Sequence, residues 1–419
     1  MMFVPDLYSQ LDARQADALD AHILQAGLDS GFRATADWHM LAEPVQVSRA
    51  ALKQLSQDLQ RCLDSAVLLS RLLFPTPEAF YRYCGIAEEK LPFLAALAEV
   101  GDPFFYPKRW DVIPGADGPM KAVEVNIGLA IAGINQRSIQ QVYDGVPNVS
   151  PAWTDTSGFY VRRVAEWAKR HPGHRLVVCD CDAWFDDDLN FLQSLQHLLQ
   201  SQDIEAELVR MSDWEAFAEE DRYGLIEVFN ALDFTSMQQV ERYLRYHRRV
   251  GQVFCSPAQM LWSSKAIFAL LWQGVQDGVL GDEAVAAVRR AIPFTRILQA
   301  AERAAVLARR AELVIKPATG LGGDRVTVGA AVNDAEWTAE VDAGLASADV
   351  FVVQDFYAPA SLPFTRLVEG QRFPRTESQL ILGIFQMDQA YAGGFARAST
   401  RSGAINVMRG AALGVMREV

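Results

Sequence analysis

Arg109, Asp111, Glu124 and Asn126 stand in two short extended segments, YPKRWDV (106–112) and KAVEVN (121–126), joined by a Pro-Gly-Ala-Asp-Gly turn. Residues two apart on a strand share a face, so Arg109 and Asp111 point one way on the first arm, and Glu124 and Asn126 do the same on the second. If those faces coincide, three hard oxygen donors converge, a set that suits Mg²⁺ beside substrate phosphates. The plain alternative is a hairpin whose charged positions face solvent. Farther along, LVIKPATGLGGDRVTVG puts Lys316 at the end of a β-branched strand, then Gly320, Gly322 and Gly323 in a loop, then a second strand. A P-loop needs its glycines before Lys-Ser/Thr and a helix after them, and a dinucleotide fingerprint also needs the helix; neither follows here. The segment therefore reads as a strand-loop-strand flap whose glycines let backbone amides approach phosphate oxygens while Lys316 supplies charge. A tight hairpin without a ligand is the competing expectation.

Lys265 begins a helix in MLWSSKAIFALLW, among apolar or small neighbours. A lysine there usually snorkels to the surface. FVVQDF (351–356) fits an edge strand whose backbone can meet an adenine, with Gln354 and Phe356 flanking Asp355 near the ribose. A buried strand ending in a polar turn fits it equally. The acidic cluster Asp180, Asp182, Asp186, Asp187 and Asp188 precedes a helix and reads as a cap rather than a second metal site. Cys179 and Cys181 lack a second cysteine pair and the six histidines are scattered. Zinc ligation and a His-based nucleophilic triad therefore have no support.

The elements that must position these residues follow from periodicity. Residues 1 to about 100 read as helical, with Leu52, Leu55, Leu59, Leu63, Ala66 and Leu73 recurring at three-to-four spacing behind a Ser48 cap. Pro75 and Pro77 stop that helix. Gly128 to Gly158 is loop with one short helix, and a domain boundary falls inside it. From about 160 strands alternate with helices: RLVVCDCD, a helix near 187–201, AELV, a helix, LIEVF, and a helix to Val250, which implies parallel βαβ units. A helix near Ser264, the segment IPFTRIL and an Ala/Arg-rich helix (299–312) follow. LVIK, RVTVG, FVVQDF, LILGIFQ and YAGGFAR are short strands, and Asp388-Gln389 turns the last two back on each other. The expected division is 1–150, 151–255 and 256–419.

A chain of 419 residues is long enough for two or three compact units. The 39 basic and 52 acidic residues leave a net charge of -13 without a polybasic tail. That balance disfavours nucleic acid and anionic membranes, so any anionic ligand must meet a local cluster of Lys and Arg. Five cysteines without regular spacing and a start that lacks a secretion signal point to a cytoplasmic protein. No uncharged apolar run approaches the ~20 residues of a membrane helix, and no internal repeat is present.

Taken together, Arg109-x-Asp111, Glu124-x-Asn126, SSKAIFALLWQG with IPFTRIL, and IKPATGLGGDRV resemble the ATP-grasp ligases, specifically the circularly permuted branch that includes the synthetase domain of glutathionylspermidine synthetase. In that branch the carboxylate motif precedes the lysines and the glycine flap, as it does here. The closing GGFARASTRSGAINVMRGAA is similar to the branch's Arg-rich C-terminal stretch. The chain departs from the pattern at Gln354-Asp355, where a Glu is common, and in the Ile-Gly-Leu after Asn126. The resemblance implies an α/β ATP-grasp fold with a helical N-terminal region, a βαβ pre-grasp domain over 151–255 and a nucleotide-binding domain over 256–419. It further implies ATP and Mg²⁺ as cofactors and a ligation in which a carboxylate is phosphorylated and the acyl phosphate is captured by an amine. On that basis Lys265 and Lys316 go to the phosphates, Asp111, Glu124 and Asn126 to Mg²⁺, and Arg109 to the transferring phosphoryl group. Arg397 or Arg401 holds the carboxylate, with Asn406 and Arg409 as lesser candidates. The expected partners are small carboxylate and amine substrates, an amino acid or small peptide among them, with a homodimer expected from base rates. A small-molecule kinase and a noncatalytic nucleotide-binding protein are the other functions weighed.

Overall fold

The computed structural model describes residues 2–33, 37–98, 107–116, 119–129, 133–214, 223–250, 254, 256–320, 323–387, 389–401 and 403–419. Its strands are β1 (Met2–Phe3), β2 (Met40–Leu41), β3 (Val45–Val47), β4 (Lys108–Pro114), β5 (Met120–Ile127), β6 (Arg175–Asp180), β7 (Ala206–Arg210), β8 (Tyr223–Glu227), β9 (Thr295–Ile297), β10 (Leu313–Pro317), β11 (Thr327–Val328), β12 (Phe351–Asp355), β13 (Ser361–Val368), β14 (Gln371–Met387), β15 (Ala390–Ser399) and β16 (Ala412–Glu418). They form three sheets.

The largest sheet joins both ends of the chain. Its order is β1-β3-β16-β2-β13-β14-β4-β5, with β15 bridging β14 and β16. The chain's last strand runs parallel to β2 and β3. Buried Glu43 in the turn between them accepts hydrogen bonds at 2.8 Å from the backbone nitrogen and the hydroxyl of Thr365 on β13. The helical reading of residues 1–100 thus misses three short strands. Two or three residues are too few to show alternation, and β2 and β3 pair with strands more than 300 residues away. The long helix over Arg49–Leu73 does form and buries Leu52, Leu55, Leu59, Leu63 and Ala66. Ser48 precedes it but makes no side-chain cap.

The second sheet, β11-β10-β12-β9, is antiparallel throughout. Leu313, Ile315 and Val353 are buried with Trp337 and Val341 of the helix Asp334–Ala346, which the sequence reading does not contain. A capping box between Asn333 and Glu336 starts that helix. Alternation then turns Val314 and Lys316 to the opposite face. Strand β12 is internal, so FVVQDF is not an edge strand; β9, three residues long, takes that place. The third sheet, β7-β6-β8, is parallel, as the alternation of strands and helices predicts. The helix expected between AELV and LIEVF falls partly on 215–222, outside the described residues.

Between 128 and 158 the structure places the helix Gln136–Val142 and, from Thr156, the start of a helix to Arg170, where one helix was expected. The Ala/Arg-rich stretch holds only a short helix, Arg303–Ala308, flanked by single turns. Among the described residues no helix is long and apolar enough to cross a membrane.

Candidate functional site

Register decides the hairpin. Asp111 stands opposite Glu124 and Arg109 opposite Asn126, so all four side chains share one face. The other face carries Trp110 and Val125, both buried. Trp110 lies parallel to Phe268 of the helix Ala266–Gln276, with centroids 6.3 Å apart, and donates its indole N–H to Gln386 Oε1 at 3.1 Å. The hairpin is therefore part of the main sheet: β4 also pairs with β14, with Asp111 opposite Gly383 and Arg109 opposite Phe385. At its free edge, β5 is tied down by Ser263, whose hydroxyl accepts from Ile127 N at 2.9 Å.

Four cations and two carboxylates meet at this face. Asp111 takes Arg109 Nε at 3.0 Å on one oxygen and Arg397 Nη2 at 2.8 Å on the other. Burial by itself would raise the Asp111 carboxyl; the two guanidiniums outweigh it and hold the group below the ordinary carboxylate range. Both guanidiniums also lie within 6 Å of the Phe395 ring centroid, at 5.8 and 5.5 Å. Glu124 pairs with Lys265 Nζ at 2.8 Å, and the same ammonium donates to Gly320 O at 3.0 Å. Lys265 N donates to Ala318 O at 2.8 Å, which fixes the helix start beside the end of β10. Lys316 Nζ donates to Val123 O at 2.7 Å and to Gln354 Oε1 at 2.9 Å. Burial, reinforced by neighbouring Lys265, pushes Lys316 down to about 7. Buried Lys265 is thus an ion-pair partner and not a snorkelling surface residue.

Four of these groups border a cavity of about 360 Å³. Asp111, Glu124, Lys316 and Arg397 line one side; Gln354, Asp355 and Phe356 from the end of β12 line another. Gly323, with φ of +76°, turns the flap toward Asn406, and Arg409 Nη2 holds Gly323 O at 2.9 Å. Gly320, at φ +148°, ends the described part of the first flap arm; Gly322 lies outside the described residues. Asp355 pairs with Arg309 at 3.2 Å. Arg401 is not brought to this cluster. It is exposed beyond β15, and its charge, with those of Arg366 and Arg33, acts on His39, whose pKa is lowered first by burial and then by these arginines.

A second cavity, of about 570 Å³, opens on the far side of Glu124. Asn126 lines it, and its amide nitrogen is buried without a hydrogen-bond partner. Glu227, the last residue of β8, and Asn230 and Asp233 beyond it are wall residues that sequence reasoning missed. A lone glutamate in the apolar run YGLIEVF was the one signal present. The acidic cluster does not cap its helix: Asp188 makes no side-chain cap there, Asp182 accepts from Ser212 and Asp186 pairs with Arg210.

Asp111 and Glu124 with the Asn126 amide suit a Mg²⁺ ion, which accepts one or two carboxylates and completes its shell with phosphates and water. Lysine and arginine nitrogens already sit at 2.8–3.0 Å on those carboxylate oxygens, so the sites are built for positive charge. No group of three His, Cys, Asp or Glu that could hold a metal gathers among the described residues.

No family model and no curated protein matches this sequence. Among solved structures, a glutathione synthetase-like effector from Globodera pallida, in its apo form, matches over 100% of both chains with a TM-score of 0.64 and 10% identity. D-cycloserine synthetase matches 43% of this chain and 59% of its own, with a TM-score of 0.26 and 19% identity, too weak to carry an argument. The chain therefore shares the mixed α/β fold of a glutathione synthetase-like protein. At 10% identity the likeness is one of fold and not of reaction.

Proposed function

We propose that this chain is an ATP-dependent ligase that joins a carboxylate to an amine through an acyl phosphate. One observation carries the reading: Glu124 stands between two cavities, Lys316 and Arg397 line the first, and Lys265 and Arg109 are ion-paired to the Glu124 and Asp111 carboxylates on its wall. Four cations gathered on Asp111 and Glu124 favour a polyanion, and a second cavity beside the same glutamate leaves room for a second substrate. Two further observations support the nucleotide: Gly323 of the flap beside Asn406, and the polar end of β12 at Gln354 and Asp355.

In this reading Lys265 and Lys316 hold the phosphates, and Gly320, Gly322 and Gly323 form the flap that keeps water from the acyl phosphate. Arg109 faces the transferring phosphoryl group, and Arg397 holds the substrate carboxylate with a planar fork. Mg²⁺, held by Asp111, Glu124 and Asn126, would cancel charge on the phosphate oxygens when bound. In this reading the order of carboxylate hairpin first, then the Lys265 helix and the Lys316 strand, is that of a circularly permuted ATP-grasp.

The test is to incubate the protein with ATP, Mg²⁺ and pairs of carboxylates and amines, following ADP release and weighing products. ADP release that requires both substrates, with loss of one water in the product mass and no turnover in Glu124→Ala, is expected. A stable phosphorylated product formed without an amine makes the protein a kinase instead.

A further inference from the structure

The second cavity differs from the first, which Lys316 and Arg397 line, in the charge of its walls. Three carboxylates reach its lining, Glu124, Glu227 and Asp233, and no Lys, Arg or His does among the described residues. The remaining wall is largely apolar, with Leu129, Trp184, Phe229 and Met260. Glu227 is 2% exposed. Its Oε1 accepts from Tyr243 Oη at 2.9 Å, while Oε2 is buried without any hydrogen-bond partner. Asp233 uses Oδ2 to accept from Asn230 N at 2.7 Å. Burial raises Glu227 to about 8 and also raises Asp233. Ionising these groups is costly in the empty cavity; a bound cation offsets that cost and a bound anion adds to it.

We propose that this cavity takes an organic ammonium with an apolar body and no carboxylate of its own, its charge against Glu227 and Asp233 and its body on Trp184, Phe229 and Met260. This inference rests on the ligase reading for its place in the reaction, where such a molecule is the amine substrate, but the binding itself does not need ATP. Zwitterionic amino acids are disfavoured by the same chemistry: Glu124 is neutralised by Lys265, but their carboxylate would still meet Glu227 and Asp233. Across Glu124 the molecule thus sorts its substrates by charge, polyanion on one side and cation on the other.

Calorimetry on the full chain without nucleotide tests this with three molecules of one skeleton: 2-phenylethylamine, 3-phenylpropionate and phenylalanine. The amine is expected to bind at least about tenfold more tightly than either of the others, since the carboxylates are desolvated and unpaired. Glu227→Gln, checked for folding by far-UV circular dichroism, should weaken the amine about tenfold. Trp184→Arg supplies a variant that leaves the core untouched, because Trp184 is 51% exposed, and it should weaken the amine to a similar degree. Equal binding of the acid or the amino acid, or unchanged amine affinity in both variants, overturns the proposal. ATP titrated in parallel separates the two failures: amine binding without ATP binding removes the ligase reading alone, and ATP binding without amine preference removes this one alone.

Discussion

At the scale of single residues, the unusual group is Lys316, a buried ammonium whose side-chain acceptors are a backbone carbonyl and the neutral amide of Gln354. Its pKa of about 7 follows first from burial and then from neighbouring Lys265, which together outweigh Glu124 and Asp111. Phosphate oxygens favour the charged form, so nucleotide binding should raise the pKa toward the ordinary ammonium range and take up a proton between about pH 7 and 10. ATP affinity is then expected to fall as pH rises through that window, by up to about tenfold per unit. Calorimetry at pH 8.5 in buffers of different ionisation enthalpy should register that uptake, and its absence would mean the phosphates do not reach Lys316. Gln354→Glu places a carboxylate where the amide now sits at 2.9 Å, so it should keep Lys316 charged before binding and abolish the uptake. Arg109→Lys is expected to lower turnover by roughly tenfold to a hundredfold while changing ATP affinity little, because a point charge cannot replace the fork. Comparable losses in kcat and in ATP binding would assign Arg109 a structural role through Asp111. The sequence displayed each of these side chains, yet it could not show that Lys265 and Glu124 would be ion-paired.

At the scale of elements, the hairpin is held in place from behind. Its site face is polar and partly open, so the burial of Trp110 against Phe268, with the indole bonded to Gln386, anchors its position in the sheet. Trp110→Ala should cost about 3–5 kcal/mol, read as a lower urea midpoint, since it opens a cavity and leaves Gln386 short of a donor. A loss under about 1 kcal/mol would show that β14 alone fixes the hairpin. Alternation of charged and apolar residues made this hairpin legible, as did the β-branched run before Lys316. The helix Asp334–Ala346 escaped because only Trp337, Val341 and Gly344 of its residues are buried, which leaves little periodic contrast. Strand β12 was legible as a strand but not as an internal one, because its neighbour β9 is only three residues long.

At the scale of the whole molecule, both chain ends close one sheet, with buried Glu43 beside its joint, and buried Glu227 ends β8 in the third sheet. Glu43 is held at about 7 and Glu227 at about 8, each chiefly by burial, whereas an unfolded glutamate loses its proton near pH 4.3, an approximate reference value. Where a folded pKa is raised, the associated stability is full below the unfolded value and is lost as pH rises through the folded one. Thermal stability is therefore expected to decline between about pH 5 and 8, and Glu43→Gln with Glu227→Gln together should flatten that decline. An unchanged slope in the double variant would place the pH dependence elsewhere.

Taken by itself, the amino-acid order determined which groups are available for chemistry and the local period that lifts them onto one face of a strand. Alternation and turn residues act between neighbours, so the carboxylate hairpin, the lysine strand and its glycine loop, and the parallel βαβ unit were all readable. Only the tertiary structure decided the pairings across long stretches of chain: Glu124 with Lys265, Asp111 with Arg397, β16 with β2 and β3. It also placed Arg401 away from the cluster and lined the second cavity with carboxylates. Those outcomes depend on which surfaces are buried against each other, a cooperative property of the whole chain that no local pattern carries.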